Sequence, residues 1–527
     1  MRSGSRAPMA LKRSGVNRTP QDRERQPEPS ERTPQTGEIG PQANSGPPEL
    51  SDRRRLTILA ICCMSLLIVA MDNTIVNVAL PSIKRDLHAS LSGLQWTIDA
   101  YVIVLASLLL LSGSTADRLG RRRTFQIGLL VFVAGSLLCS LAPTLGWLIA
   151  ARALQGVGGS MLNPVAMSII TNVFPDPRER ARAIGAWGAV VGVSLALGPI
   201  VGGALTETVG WRAIFWINVP IGLAAVVLTA LFVPESRAPR PRRIDPVGQL
   251  LVIVALASLT YAIIEAPSAG WSSAQSLGLF ALAALALVGL VLYEPRRADP
   301  LIELRFFRSA PFSGATLIAI SAFAAFSGFL LLNTLYLQDV RGYSALQAGL
   351  CTLPMALAAL VCSPLAGRAV GSRGPRLPLF VAGVCMAASA LVLTTLTPST
   401  PLLLLLGVYA VFGIGFGSVN PPITYAAVSG MPNNQAGVAA AVASTSRQVG
   451  QALGVAVTGS ILGSAAGSQI STHLSSASHP AWWLIAGCGA SVLALGAATT
   501  GRWGQGTARR CAESLEQEPA SRPLQAA

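Results

Sequence analysis

The segment from Leu377 to Gly430 decides the class of fold, because it reads LPLFVAGVCMAASALVLTTLTPSTPLLLLLGVYAVFGIGFGSVNPPITYAAVSG without one charged residue. A second segment, from Gln448 to Gly501, contains no Asp, Glu, Lys or Arg. Only 12% of the 527 residues are charged, whereas soluble domains carry about 25%. Apolar runs of this length cannot form the surface of a water-soluble fold, so the chain is predicted to be a polytopic membrane protein.

Outward from these segments, the chain holds fourteen apolar stretches, each long enough to cross about 30 Å of hydrocarbon as a helix. They lie at residues 56–80, 94–115, 124–142, 145–170, 184–205, 213–233, 247–265, 276–294, 313–337, 347–366, 377–397, 402–428, 437–463 and 481–501. An even number places both termini on one side of the membrane, and the loops on that side carry most of the arginines. The positive-inside rule therefore predicts that both termini are cytoplasmic. We separately expect this multi-pass protein to lie in a plasma membrane, that of a bacterium.

The two halves of the chain carry weakly similar sequences after their second helices. The first reads GSTADRLGRRR at 113–123, and the second reads PLAGRAVGSRGPR at 364–376. Repeated halves are typical of secondary transporters, so we predict an all-α membrane fold of two six-helix bundles with two extra central helices. The predicted divisions are a disordered cytoplasmic arm (1–55), an N-terminal bundle (56–233), a central two-helix insertion (234–312), a C-terminal bundle (313–501) and a cytoplasmic tail (502–527).

The sequence gives little support to an ATP-driven pump, an enzyme or a nucleic-acid-binding protein. A P-loop needs Gly-Lys-Ser/Thr, but the lysines are Lys12 and Lys84 and neither follows a glycine. No nucleophile elbow or metal-binding spacing is present, so no cofactor, metal or nucleotide is expected. The net charge of +15 comes from short arginine runs between apolar segments and not from a basic stripe. An ion gradient remains as the energy source.

The 113–123 loop resembles the Gly-x-x-x-Asp-Arg-x-Gly-Arg-Arg signature of the major facilitator superfamily. The resemblance extends over about residues 56–501 and is strongest to the fourteen-span branch of drug:proton antiporters. In that family the loop implies a conformational latch between helix ends. The corresponding residues are Gly113, Asp117, Arg118, Gly120, Arg121 and Arg122. The alternative is that the arginines only enforce the topology.

The fifth apolar stretch contains GAWGAVVG at 185–192 and GPIVGG at 198–203, which resemble the antiporter motif of the same family. Glycines spaced by four let neighbouring backbones approach closely, and a proline inside a helix permits a bend. Such spacing alone is also common in ordinary helix packing, but the resemblance implies an exporter. The motif residues are Gly188, Gly192, Gly198, Pro199, Gly202 and Gly203.

Two further stretches, MDNTIVNVALP at 71–81 and RALQGVGG at 152–159, also resemble this branch. At 1.5 Å per residue, Asp72 and Arg152 lie roughly 12 Å and 10 Å from the outer ends of their helices, with Asp99 somewhat shallower. An arginine that moves relative to a buried carboxyl changes the proton affinity of that carboxyl. We therefore predict Asp72 as the proton carrier, Arg152 as its tuner and Asp99 as a second candidate. The alternatives are a permanent ion pair and, for Asp99, a hydrated helix end.

Arg447 is the only arginine between Leu377 and Gly501, and its surroundings, STSRQVGQ at 444–451, also resemble the branch. A substrate cavity for amphipathic compounds needs apolar and aromatic walls with a few polar groups. The candidates for that cavity are Gln155, Asn333, Tyr336, Asn420, Tyr425 and Arg447. Each of these side chains could instead serve helix packing.

The resemblance implies export of small hydrophobic or cationic drugs or antibiotics in exchange for protons. The expected partners are the small-molecule substrate, protons and the lipid bilayer, without nucleic acid or nucleotide, and the protein is expected to be a monomer and not an enzyme. One alternative is a dedicated exporter of an endogenous metabolite or self-made antibiotic. A more distant alternative is a membrane sensor or scaffold that transports nothing.

Overall fold

The computed structural model describes residues 51–237, 244–297, 300–432, 435–466 and 470–516. The predicted N-terminal arm up to residue 50, and residues 517–527 of the predicted tail, lie outside the described residues. The described part of Leu50–Ala527 forms one compact unit. Every regular element within it is a helix.

The helices are numbered here in chain order. The first nine are α1 (Asp52–Asp86), α2 (Leu91–Leu119), α3 (Arg121–Ser140), α4 (Leu145–Val173), α5 (Pro177–Thr208), α6 (Ala213–Trp216), α7 (Asn218–Phe232), α8 (Pro246–Ala269) and α9 (Ala274–Tyr293). The others are α10 (Ala310–Leu335), α11 (Ala345–Cys351), α12 (Leu353–Arg373), α13 (Arg376–Leu393), α14 (Leu402–Val428), α15 (Ala436–Ala466), α16 (Ile470–Ala477), α17 (His479–Thr499) and α18 (Arg502–Glu516).

Local sequence signals explain several helix starts. The Ser90 hydroxyl accepts a hydrogen bond from the backbone N–H of Gly93 at 3.1 Å and so caps α2. Asp176 accepts two backbone N–H bonds in the first turn of α5, which also has a proline at its first position. Such caps satisfy backbone donors that the helix itself leaves free.

Twelve helices in the described residues are long and apolar enough to cross a membrane. All fourteen predicted stretches coincide with helices, but the count of fourteen membrane spans is not confirmed. Of the fourteen predicted stretches, the two that coincide with α4 and α15 are not among the twelve. They carry polar side chains along their middles, including Arg152 and Gln155 in α4 and Arg447 in α15, and these side chains make both helices less apolar.

The helices pack as two groups and a hairpin. In the first group, α1–α7, α3 packs on α4 and α7, α2 packs on α4, and α1 packs on α5. In the second group, α10–α17, α10 packs on α15, α12 packs on α14, and α13 packs on α17. The hairpin of α8 and α9 packs through α8 against α2 and α15, so it contacts both groups.

The two groups meet at the side of the bundle opposite the start of α1. We call this the distal side and the other the terminus side. Gln95 Nε2 donates to the carbonyl oxygens of Val455 at 3.2 Å and Ala456 at 2.9 Å, and Gln338 Nε2 donates to the carbonyl oxygen of Val78 at 2.8 Å. A longer ion pair, Lys84–Asp339 at 3.8 Å, joins α1 to the end of α10.

Toward the terminus side, the facing surfaces of α5 and α12 move apart. Gly192 of α5 still faces Leu360 of α12, since an added Cβ on Gly192 would lie 2.6 Å from the Leu360 side chain. Gly188 lies on the same face of α5, one turn nearer the terminus side, and has no atom within 4 Å of an added Cβ. The same holds for Gly367, two turns beyond Leu360. We interpret this loss of contact as a cleft between the two groups that is open at the terminus side and closed at the distal side.

Candidate functional site

Asp72 lies in the middle of α1 and is held by three side chains. Arg152 Nη1 donates to Asp72 Oδ2 at 2.5 Å, and Gln155 Nε2 donates to Asp72 Oδ1 at 2.9 Å. Asn218 Nδ2 donates a longer bond of 3.4 Å to Oδ1. The exposed fraction is 0% for Asp72 and 1% for Arg152. The sequence placed Asp72 and Arg152 in one layer, and the structure brings them into direct contact.

Arg152 makes further hydrogen bonds through its Nε and Nη1 atoms. Its Nε donates to the carbonyl oxygen of Thr97 at 3.0 Å, and its Nη1 also donates to Gln155 Oε1 at 2.6 Å. The guanidinium stacks 4.3 Å above the ring of Tyr101. A buried ion pair of this kind needs further hydrogen bonds to offset the loss of hydration, and both Asp72 and Arg152 make them.

Two members of this network, Ser136 on α3 and Asn218 on α7, were not predicted from the sequence. The Ser136 hydroxyl accepts from Gln155 Nε2 at 2.7 Å and from Asn218 Nδ2 at 3.3 Å. We call Asp72, Ser136, Arg152, Gln155 and Asn218 the Asp72 cluster. It ties α1, α3, α4 and α7 together inside the first group. A single asparagine in an apolar stretch was the only available signal for Asn218.

Asp99 on α2 has the opposite environment. It is completely buried, and neither carboxyl oxygen has a hydrogen-bond partner among the described residues. Gln95, one turn earlier on α2, bonds to α15, so Asp99 lies on the face of α2 that meets the second group. An ionised carboxylate without a partner is costly to bury, and a protonated carboxyl avoids most of that cost.

The stretch 113–123, predicted as a loop, is instead the end of α2 and the start of α3 with Gly120 alone between them. This junction, which we call the α2–α3 loop, attaches to the end of α7. Arg121 Nη2 lies 3.5 Å from Asp117 Oδ1, and Arg122 Nη2 donates to the carbonyl oxygen of Ala230 at 2.7 Å. The backbone N–H of Arg122 donates to Glu235 Oε1 at 3.2 Å. Glu235 was not predicted from the sequence, because nothing in its spacing relates it to the loop.

The other latch residues differ in how closely they are packed. Gly120 has φ +108° and lies under the Glu235 carboxylate, which would clash with any added Cβ. Gly113 has no atom within 4 Å of an added Cβ, and Arg118 is exposed. The positive φ explains why glycine occupies position 120.

The glycines of the predicted antiporter motif contact two different helices. Gly198 and Gly202 face α1, where an added Cβ would meet the side chains of Thr74 and Ile75. They therefore form the close-approach groove that their spacing predicts. Gly188 and Gly192 do not form such a groove in this conformation, since Gly188 has no close neighbour.

The same motif also contacts the second group. An added Cβ on Gly203 would lie 2.6 Å from the backbone oxygen of Ala345 in α11. The carbonyl oxygen of Pro199 abuts Gly349, also in α11. The backbones of α5 and α11 are thus in close contact where the two groups meet. We call the contacts between the two groups on the distal side the distal closure.

Three of the predicted cavity residues are packed inside the helix groups. Gln155 belongs to the Asp72 cluster. Asn333 Oδ1 accepts from the Tyr409 hydroxyl at 2.5 Å, and both residues are fully buried. The Tyr336 hydroxyl donates to the carbonyl oxygen of Thr397 at 2.6 Å, close to the distal side.

The other three predicted cavity residues keep some exposure. Asn420 is half-buried, and Tyr425 is 46% exposed. Arg447 is half-buried; its Nη2 donates to Thr424 Oγ1 at 2.7 Å, while its Nε has no hydrogen-bond partner among the described residues.

Comparison with known proteins places this arrangement among transporters. The family model of the Major Facilitator Superfamily matches residues 62–455. The chain is 37% identical over 393 residues to the multidrug resistance protein Stp of Mycobacterium tuberculosis. The alignment covers 75% of this chain and 73% of the relative. It is 38% identical over 384 residues to the tetracenomycin C resistance and export protein of Streptomyces glaucescens. That alignment covers 73% of this chain and 71% of the relative.

A solved structure shares the fold. It is a bacterial homologue of the human lysosomal transporter Spinster in an inward-facing, unoccupied conformation, with a TM-score of 0.59. It covers 89% of this chain and 100% of the solved chain at 17% sequence identity. At that identity the likeness concerns the fold alone.

Proposed function

This chain belongs to the Major Facilitator Superfamily, and from that premise we propose that it exports small hydrophobic or cationic drugs or antibiotics in exchange for protons. It is a multi-pass membrane protein, and its curated relatives are bacterial drug- and antibiotic-resistance proteins. These relatives are transporters and not enzymes. Their names for resistance and export support export as the direction of transport.

The proposed topology has fourteen membrane-spanning helices and cytoplasmic termini. The helices α4 and α15 contain 29 and 31 residues. At about 1.5 Å per residue, each is longer than the roughly 30 Å hydrocarbon layer. Both pack along helices that qualify as membrane spans, α4 on α2 and α3, and α15 on α10. The division at residues 56–233, 234–312 and 313–501, and the monomeric state, belong to the same proposal.

The observation that carries proton exchange is the contrast between the two buried carboxyls. Asp72 already has an arginine and two amides as partners, so losing its charge would disrupt the Asp72 cluster. Asp99 has no hydrogen-bond partner within the part of the chain that the structure describes, and it lies where the two helix groups meet. Separation of the groups at the distal side would hydrate Asp99 and favour release or uptake of a proton. We therefore assign proton binding to Asp99, and to Asp72 and Arg152 the positioning of α4 against α1.

The test uses the full chain in proteoliposomes with an imposed pH gradient. Internal pH and efflux of a fluorescent cation are followed together for wild type, Asp99→Asn, Asp72→Asn and the exposed control Asp52→Asn. We expect substrate-dependent proton flux in wild type and in the control, and its loss in Asp99→Asn. Substrate movement that ignores the gradient in wild type would reject antiport. Coupling that survives in Asp99→Asn but not in Asp72→Asn would return the proton to Asp72.

A second candidate function is export of one metabolite or self-made antibiotic. The 38% identity to a resistance and export protein named for a single compound, tetracenomycin C, favours it. A substrate panel in the same proteoliposomes distinguishes the two functions. Transport of several unrelated cations supports broad drug export, and transport of one compound class supports dedicated export.

A further inference from the structure

The C-terminal helix α18 packs on the terminus side of the second helix group through one narrow face. Its buried residues are Gly504, Ala508, Cys511 and Leu515. These positions are spaced by three or four, as expected for one face of a helix. The backbone N–H of Ala310 donates to Thr507 Oγ1 at 3.0 Å, and the Cys511 thiol donates to the carbonyl oxygen of Arg305 at 3.4 Å. The segment predicted as a tail thus begins as a docked amphipathic helix.

A cavity of about 370 Å³ lies beside α18, between α10, α13, α14 and α17. Its wall near α18 is polar and includes Thr500, Gln505 and Arg509. Its deeper wall is apolar and includes Ile318, Leu379 and Ile423. These three side chains are at most 2% exposed and form the closed bottom of the cavity, whereas Pro311, Pro375 and Tyr425 supply accessible apolar surface.

The surroundings of the cavity mouth are basic and aromatic. Arg502, Arg509 and Arg510 are exposed on α18, and Trp503 beside them is 65% exposed. Tyr425, which is 46% exposed, contributes to the cavity wall. Exposed Trp and Tyr are typical of the headgroup level of a bilayer, and juxtamembrane arginines attract anionic lipids.

We propose that this cavity binds one anionic phospholipid, with the phosphate at Arg509 and an acyl chain along the apolar wall. The occupant is amphipathic because the cavity is: a cation and hydrogen-bonding groups lie at its mouth, and apolar side chains line its depth. A free phosphate ion would leave the apolar wall uncovered, and in a zwitterionic lipid such as phosphatidylcholine the choline cation offsets the phosphate charge that Arg509 would attract. This site lies outside the cleft between the helix groups and is independent of the exported substrate.

The experiment compares lipid retention by the purified full chain in native mass spectrometry. Phosphatidylglycerol and phosphatidylcholine with identical acyl chains are offered in equal amounts to wild type, Arg509→Gln and Arg510→Gln. Arg509 lines the cavity, and its neighbour Arg510, which is also exposed, does not, so Arg510→Gln is the matched control. We expect wild type and the control to retain phosphatidylglycerol preferentially. Arg509→Gln should lower that preference about fivefold, the loss expected for one arginine–lipid attraction.

A second variant tests the apolar wall. Ala426 lines the cavity, and Ala426→Phe should reduce retention of both lipids by filling the space for the acyl chain. Equal retention of the two lipids by wild type would overturn the proposal, as would equal losses in Arg509→Gln and Arg510→Gln. Displacement of phosphatidylglycerol by millimolar inorganic phosphate would show a plain anion site and would also overturn it. None of these readouts depends on transport, so they stand apart from the test of proton exchange.

Discussion

Arg152→Met removes the charge partner of Asp72 and is expected to destabilise the fold by about 3–5 kcal/mol. The magnitude follows from geometry: the variant leaves Asp72, at 0% exposure, with only the two amide donors of Gln155 and Asn218. Asp72→Asn should cost a similar amount, because it leaves the buried guanidinium of Arg152 unpaired and turns an amide N–H toward its Nη1 or toward Gln155 Nε2. The guanidinium of Arg152 would retain the carbonyl oxygen of Thr97 and Gln155 Oε1.

Combining the two substitutions should recover much of the loss, since no unpaired charge then remains buried. We expect the double variant to be more stable than the sum of the single effects by at least about 1 kcal/mol. Unfolding is measured by SDS titration in mixed micelles, with tryptophan fluorescence as the readout. The matched control is Arg212→Met: Arg212 pairs with Asp86 at 2.6 Å with 41% of its side chain exposed, and this loss should cost about 1 kcal/mol or less. The reasoning fails if Arg152→Met is no less stable than the control, or if the double variant shows simple additivity.

Two further predictions concern glycines. Gly120→Ala should destabilise the protein by about 1–3 kcal/mol in the same titration, because its φ of +108° disfavours alanine and Glu235 occupies the space of the new methyl group; Gly113→Ala, with open space around it, is the control and should be neutral. Gly504→Leu should displace α18, because a side chain there meets the backbone at the end of α17. Burial raises the pKa of the Cys511 thiol, so wild type holds less reactive thiolate at neutral pH and should react slowly with maleimide, whereas the displaced helix should react faster. Peptide mass spectrometry locates the label, and equal labelling of Cys511 in both proteins would contradict the docked position.

The depth of a polar side chain in the membrane could be predicted from the sequence, but the side of its helix that it occupies, facing a neighbouring helix or a cleft, could not. The rise per residue alone placed Asp72 and Arg152 in one layer, and the structure puts them in contact. Whether a polar side chain faces a neighbour or an open cleft depends on how each helix is rotated in the bundle. Asn333 therefore looked like a cavity residue in the sequence, whereas in the structure its partner is the Tyr409 hydroxyl.

Contacts between distant segments were the other part that the sequence did not reveal. Ser136 and Asn218 join the Asp72 cluster from two separate helices, and Glu235 meets the α2–α3 loop from the end of a third. None of them has a local sequence partner. The docked face of α18, in contrast, could have been predicted, because the apolar residues Ala508, Cys511 and Leu515 follow one another at helical spacing.

The distal closure has a consequence for the energy of the transport cycle. Its hydrogen bonds use backbone carbonyl oxygens as acceptors, and each contributes about 0.5–1.5 kcal/mol because water offers equivalent partners once the bond breaks. The half-exposed Lys84–Asp339 pair contributes about 1 kcal/mol or less. A polar closure of this strength lies in the range of the roughly 2.3 kcal/mol that one charge gains across 100 mV. Modest differences in ligand affinity between the two conformations are then enough to shift their populations, without hydrolysis of a nucleotide.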